Sequence, residues 1–151
     1  MKKLQGRGIT GKKASGQAMI TREPMNFTAA LSKPQNFLIP WLGHQVNDRH
    51  HELYKKLLKN KIFIYPATIG STGTGMFILE LIYQGNNPAA IIVGNADTLM
   101  VSGSILSEVW FGRGIPIVEY PGEDIYDLIH DGDQVQVDGE SGEIVVLERV
   151  P

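Results

Sequence analysis

Residues 70–75 read Gly-Ser-Thr-Gly-Thr-Gly, a run of glycines and hydroxyls between an apolar stretch at 62–65 and a helical pattern at 76–83. A glycine-rich turn leading into a helix gathers free backbone N–H groups and the positive end of the helix dipole at one spot. That arrangement favours an anion, or a group that becomes anionic during a reaction. Three familiar versions of such a loop are excluded by the spacing. Gly70-x4-Gly75 has the P-loop interval, but Met76 and Phe77 stand where a lysine and a hydroxyl are needed. The glycine order is not that of a dinucleotide site, and Ile69 removes the first glycine of a nucleophile elbow around Ser71. The competing reading is a tight turn in which Ser71 or Thr72 is an ordinary helix N-cap.

Two other places carry chemistry. Arg7 lies between Gly6 and Gly8, whose small size gives a guanidinium room to reach an anion. The alternative is an exposed charge on an edge strand. Asp48-Arg49-His50-His51-Glu52 contains adjacent histidines that point apart on a loop or strand, and it lacks an H-x-x-x-H pair. Hydrogen bonding or proton transfer is therefore the better use of its histidines than metal binding.

The elements that must position these groups follow from periodicity. Residues 62–65, 89–93 and 115–119 are short apolar runs that predict buried strands. Helical patterns near 73–84, over Thr98–Phe111 and at 123–130 alternate with them, and the pattern predicts a parallel α/β core. Ser102-Gly103-Ser104 interrupts the second helix and permits close packing there. Residues 4–10 and 15–21 read as two glycine-punctuated strands joined at Gly11-Lys12-Lys13. Residues 22–50 read as irregular, broken by Pro24, Pro34 and Pro40, with Phe27, Phe37 and Trp41 arguing that the segment is ordered against something. Residues 53–59 read as a short turn or loop, and Gln134–Asp138 with 143–147 as a C-terminal hairpin. The β-rich ends are expected to close over the middle, and residues 1–151 read as one domain.

Composition limits the function classes. A formal net charge of −2 gives no electrostatic case for nucleic acid or an anionic membrane. No stretch is apolar for long enough to span a bilayer, and Met1-Lys2-Lys3 runs into polar, glycine-rich sequence, so cytoplasm is the expected compartment. The chain has no cysteine, so an iron–sulfur cluster could reach its chemistry only from a partner.

Several short segments follow one another in a recognisable order: Gly6-Arg7-Gly8 with Gly16-Gln17-Ala18, then Asp48-x-x-His51-x-Leu53, then Gly70-Ser71-Thr72. Asn87-Pro88-Ala89-Ala90-Ile91 and Gly132-Asp133-x-Val135-x-Val137-Asp138 complete the set. Together they resemble the swivel domain, or small subunit, of the aconitase X family, over about residues 6–146. The resemblance implies a swivelling β/β/α fold and one half of a hydro-lyase. It also implies a large-subunit partner carrying an iron or iron–sulfur centre, with no cofactor bound by this chain. In that family the small domain supplies a serine and anion-binding groups to a shared cleft. Ser71 is accordingly expected to be the base, with Gly70, Thr72, Gly73, Thr74, Arg7 and His51 binding a small hydroxy acid. A serine alkoxide needs strong stabilisation, which the N–H groups after Ser71 and the helix dipole would give in part.

Known activities in the family are dehydration of cis-3-hydroxy-L-proline and of phosphomevalonate. Residues 105–116 look closer to the hydroxyproline-type members, so that substrate is the expectation and phosphomevalonate the alternative. The chain also departs from the family. An acidic residue usual after the Ser-Phe pair is missing from Asn26-Phe27-Thr28-Ala29-Ala30-Leu31-Ser32, Gly75 replaces a second serine, and Glu52 replaces a proline. The first two departures favour a second class of function, a non-catalytic anion-binding or interaction module on the same fold.

Overall fold

The computed structural model describes residues 1–151, apart from the side chains of Gln35, Phe37 and Pro40. Eight strands form one hydrogen-bonded sheet: β1 (Lys2–Gln5), β2 (Arg7–Thr10), β3 (Lys13–Ile20), β4 (Ile62–Ala67), β5 (Ala90–Asn95), β6 (Ile117–Glu119), β7 (Gln134–Asp138) and β8 (Glu143–Glu148). Their order is β1-β8-β7-β3-β4-β5-β6-β2. The helices are α1 (Phe27–Leu31), α2 (Pro34–Leu38), α3 (Thr74–Gln84), α4 (Thr98–Phe111) and α5 (Ile125–Leu128).

The three apolar runs are parallel neighbours as predicted, and β3 adds a fourth parallel partner on the β4 side. Each central strand alternates between two cores. Phe63, Tyr65, Ile91, Val93 and Ile117 point toward α1, α3 and α4, where Phe27, Leu31, Ile78, Leu81 and Met100 meet them. Ile62, Ile64, Ala90, Ile92 and Val118 point the other way, onto Val135, Val137, Ile144 and Val146 of the hairpin. A strict period of two, buried on both faces, makes a sheet that must be covered twice. The result is an antiparallel layer, a parallel layer and a helical layer, so the β-rich ends do close over the middle.

One strand belongs to both sheet layers. The first part of β3 pairs antiparallel with β7, from Lys13↔Asp138 to Gln17↔Gln134. Its last part, Ala18 to Ile20, pairs parallel with Ile62 to Ile64. The expected strand at 4–10 is instead split at Gly6, where the chain changes partner: β1 pairs with β8, and β2 with β6. Neither pairs with β3 as a local hairpin would, because the apolar faces to be covered lie on distant segments.

The 22–50 segment is more regular than its prolines suggest. Asn26 caps α1 by accepting from the Ala29 N–H at 3.0 Å, and Phe27 is fully buried. Trp41, by contrast, is 74 % exposed, and the Phe37 side chain lies outside the described residues. The last helix is shorter than the 123–130 pattern predicts, and β6 begins at Ile117 rather than at 115. Helix α4 has the expected bounds, because Asp97 caps it and Gly112 closes it at φ +67°. Among the described residues, no helix is long and apolar enough to cross a membrane.

His44 is buried beside Phe77, and burial pushes its imidazole below the ordinary value of 6.5, against the opposing pull of Asn36, Gln84 and Glu80. The native ring stays neutral where the unfolded one takes up a proton, so its stabilising contribution is present above about pH 6.5 and lost as pH falls. We expect the thermal midpoint to drop between about pH 7.5 and pH 5.5, and His44→Gln to flatten that drop. An unchanged slope in the variant would assign the drop to other groups.

Candidate functional site

Strands β4, β5 and β6 run parallel with the end of β3, so their carboxyl ends share one edge of the sheet. Ligands of open α/β sheets bind beyond that edge. Here it carries residues 21–26 after β3, 68–73 after β4, 96–97 after β5 and 120–124 after β6. The segment after β3 stays in register with the loop after β4, through the Met25↔Thr68 bridge and an Ile69 N–H that donates to the Met25 carbonyl at 3.0 Å. Strand β2 is antiparallel to β6, which brings Arg7 opposite Glu119 at the same edge.

Gly70 is the pivot of the loop. Its φ of +110° is one that side chains rarely adopt, and a Cβ added there would lie 2.6 Å from the Asn26 side chain. The turn then presents Ser71, whose exposed hydroxyl oxygen accepts the Gly73 N–H at 3.0 Å. Gly73, not Ser71 or Thr72, is the N-cap of α3, and it makes no side-chain cap bond. The Ser71 hydroxyl therefore stands free of the capping role, at the N-terminus of an eleven-residue helix. Thr74 is buried and donates from Oγ1 to the Ser71 carbonyl at 2.7 Å, so it anchors the loop from beneath. Thr72 is exposed next to Ser71. Gly75 packs against α4, where its Cβ would meet the Ser102 hydroxyl and the Leu99 carbonyl.

Arg7 is neither a lone edge charge nor an unengaged anion donor. Its guanidinium holds Glu119 Oε1 at 2.8 and 3.1 Å, while Glu119 Oε2 accepts the Ala96 N–H at 2.8 Å. The pair ties β2, β6 and the turn into α4 together at the site edge. His51 is buried and engaged with other residues. Its Nδ1 accepts the Leu53 N–H at 3.1 Å, which puts the proton on Nε2, 3.3 Å from the Pro24 carbonyl and 3.5 Å from Glu23. Buried in this way, it staples the 48–54 turn to the segment after β3.

The structure thus brings Gly70, Ser71, Thr72, Gly73 and Thr74 into one turn, adds Arg7 at the same edge, and turns His51 inward. Sequence reasoning missed Asn26 and Glu119. The signal for Asn26 was an N-cap residue directly before Phe27-Thr28-Ala29-Ala30; Glu119 had none, since only the β2–β6 register reveals it. Tyr65 and Thr68 add a part-buried hydroxyl pair at 2.7 Å at the end of β4, and burial pushes the Tyr65 phenol well above its ordinary value, keeping it neutral. Ile69, Met76 and Leu99 are exposed around the loop and form an apolar rim.

The donor set does not make a metal centre. Among the described residues, no three His, Cys, Asp or Glu side chains converge, and the sequence has no cysteine. An iron ion or cluster would find no ligand set in these residues.

Comparison with known proteins places the chain in a family and a fold. Residues 3–146 match the family described as the aconitase X swivel domain. A phosphomevalonate dehydratase small subunit from Thermococcus kodakarensis is 33 % identical over 147 residues, which is 97 % of each chain. The protein of that name from Methanothermobacter thermautotrophicus is 30 % identical over 138 residues, covering 91 % of this chain and 95 % of the relative. The crystal structure of Thermococcus kodakaraensis aconitase X in its holo form superposes with a TM-score of 0.81 at 31 % identity, covering 98 % of this chain and 100 % of that one.

Proposed function

The chain belongs to the aconitase X swivel family, and from that membership we propose that it is the part of a phosphomevalonate-type dehydratase that supplies the base. At the coarser level it is a small subunit of an aconitase X-type dehydratase, which implies a large-subunit partner. The names of the relatives favour phosphomevalonate over the hydroxyproline suggested by residues 105–116.

The observation that carries the mechanism is Ser71: exposed, at a helix N-terminus, with its oxygen accepting an N–H. Dehydration of a hydroxy acid requires a base for the carbon-bound proton and an acid to help hydroxide leave. Ser71 Oγ takes the proton. The Gly73 N–H and the dipole of α3 stabilise the charge on that oxygen. Glu119 fixes the Arg7 guanidinium at the same edge, where its remaining N–H groups would help to orient the substrate. The second requirement needs a Lewis acid, and no three metal-ligating side chains converge among the described residues. We assign it to an iron or iron–sulfur centre on the large subunit, in the cytoplasm. The apolar rim of Ile69, Met76 and Leu99 suits a face covered by that subunit.

Reconstitution tests the proposal. The isolated chain is expected to be inactive, and the mixture with its cognate large subunit and iron to dehydrate phosphomevalonate. Turnover of cis-3-hydroxy-L-proline alone would overturn the substrate assignment. Turnover by the metal-free single chain would overturn the two-subunit reading.

A further inference from the structure

A second group of side chains is linked to the Ser71 loop through Asn26. Ala29, Lys33, Asp48, Arg49, His50 and Tyr54 line an open cavity of about 650 Å³ beside α1. Its position relative to the loop is set by Asn26. That side chain packs against Gly70 and accepts the N–H of Ala29, which lines the cavity. Asn47 anchors the far wall to α1 by donating its N–H to the Ala30 carbonyl at 2.7 Å.

Lys33 and Arg49, with the His50 imidazole beside them, differ from several other surface cations. Lys3, Arg7, Lys12, Lys13 and Arg22 each hold a carboxylate. Among the described residues, the Lys33, Arg49 and His50 side chains have no ion pair and no hydrogen bond. The one carboxylate in the wall, Asp48, accepts the His50 backbone N–H at 2.9 Å and so shapes the loop. A second lysine-rich cavity, near Lys55, Lys56 and Lys61, is placed differently. Lys61 precedes the first residue of β4, at the edge opposite the Ser71 loop, and is bound to Gln17 at 2.7 Å.

We infer that the cavity beside α1 is the subsite for the phosphate of the substrate, with Lys33, Arg49 and His50 as its donors. This rests on the phosphomevalonate reading above. An acid with its carboxylate at one end and a phosphate at the other would place the reacting carbons at Ser71 and its phosphate past Asn26. Guanidinium and ammonium groups left unpaired at a cavity wall recognise a phosphate dianion by charge-assisted hydrogen bonds.

The test uses Lys33→Gln and Arg49→Gln, singly and together, in the reconstituted two-subunit enzyme. Each single change is expected to raise KM for phosphomevalonate roughly tenfold, and the double change more, with kcat within about threefold. Activity on the same acid without its phosphate should not fall, and thermal midpoints should not move. Unchanged KM values in active variants would overturn the subsite. If the wild-type complex does not act on phosphomevalonate at all, the substrate reading fails separately. Titration of the full chain with inorganic phosphate, followed by amide chemical shifts, then decides the subsite. Saturable shifts at Lys33, Arg49 and His50 that the double variant loses retain it, and their absence rejects it.

Discussion

Ser71→Ala, assayed in the reconstituted enzyme, is expected to lower kcat by about a hundredfold to ten-thousandfold, the range typical of removing a positioned base. The same change should cost under about 1 kcal/mol of stability, because it removes one exposed hydrogen bond, from the Gly73 N–H. Gly73 caps α3 without help from Ser71, so the helix does not depend on the hydroxyl. Activity and thermal midpoint therefore separate the possible roles. A variant that stays active but unfolds several degrees earlier would make Ser71 a structural turn residue and move the chain toward the binding-module reading. Thr72→Ala is the control, since it removes the neighbouring exposed hydroxyl while leaving the proposed base in place.

Gly103→Val is expected to cost about 3 kcal/mol and to lower the thermal midpoint by roughly 6–12 °C. Helices α3 and α4 cross at Gly75 and Gly103. A Cβ on Gly103 would strike the Gly75 carbonyl and come within 2.8 Å of the Ile78 Cβ. Both obstacles are backbone or branched core atoms, so relief requires the helices to separate. Separation would also shift the first turn of α3, and with it the Ser71 loop. The complex should thus lose activity even at temperatures where it stays folded. Gly11→Ala serves as the neutral comparison, because nothing lies within 4 Å of a Cβ there. A midpoint within a degree of the wild type for Gly103→Val would mean that the crossing is looser than described.

What was legible in the sequence follows from how local each signal is. Helix α4 could be placed to the residue because Asp97 and Gly112 mark its ends. Residues 62–65 and 89–93 are β-branched runs, and the hairpin alternates around a glycine turn. Each of these is decided by neighbours within a few positions. The break at Gly6 was not legible, since it is enforced by β8 and β6 more than a hundred residues away. Nor was the parallel β3–β4 pair, whose partners are separated by more than forty residues. At the site, the glycine-rich loop announced itself, while its surroundings did not. Glu119 beside Arg7 and Asn26 beneath Gly70 depend on strand register, and the inward turn of His51 depends on Pro24 and Leu53. Arg49 and His50 were visible as a charged run, yet only folding sets them beside Lys33 in one wall.

The pairing of β1 with β8 has a consequence for the newly made chain. Lys2 waits for Val146, so β1 stays unpaired while the more than 140 residues between them are translated. At ordinary rates of synthesis that delay is on the order of ten seconds. The first half of β3 is in the same position, because its partner β7 comes almost as late. During this interval the central strands present Ile62, Ile64, Ala90 and Ile92 with no second layer over them. A nascent chain arrested before residue 134 should therefore bind a holdase chaperone strongly, and release should coincide with emergence of the β7–β8 hairpin.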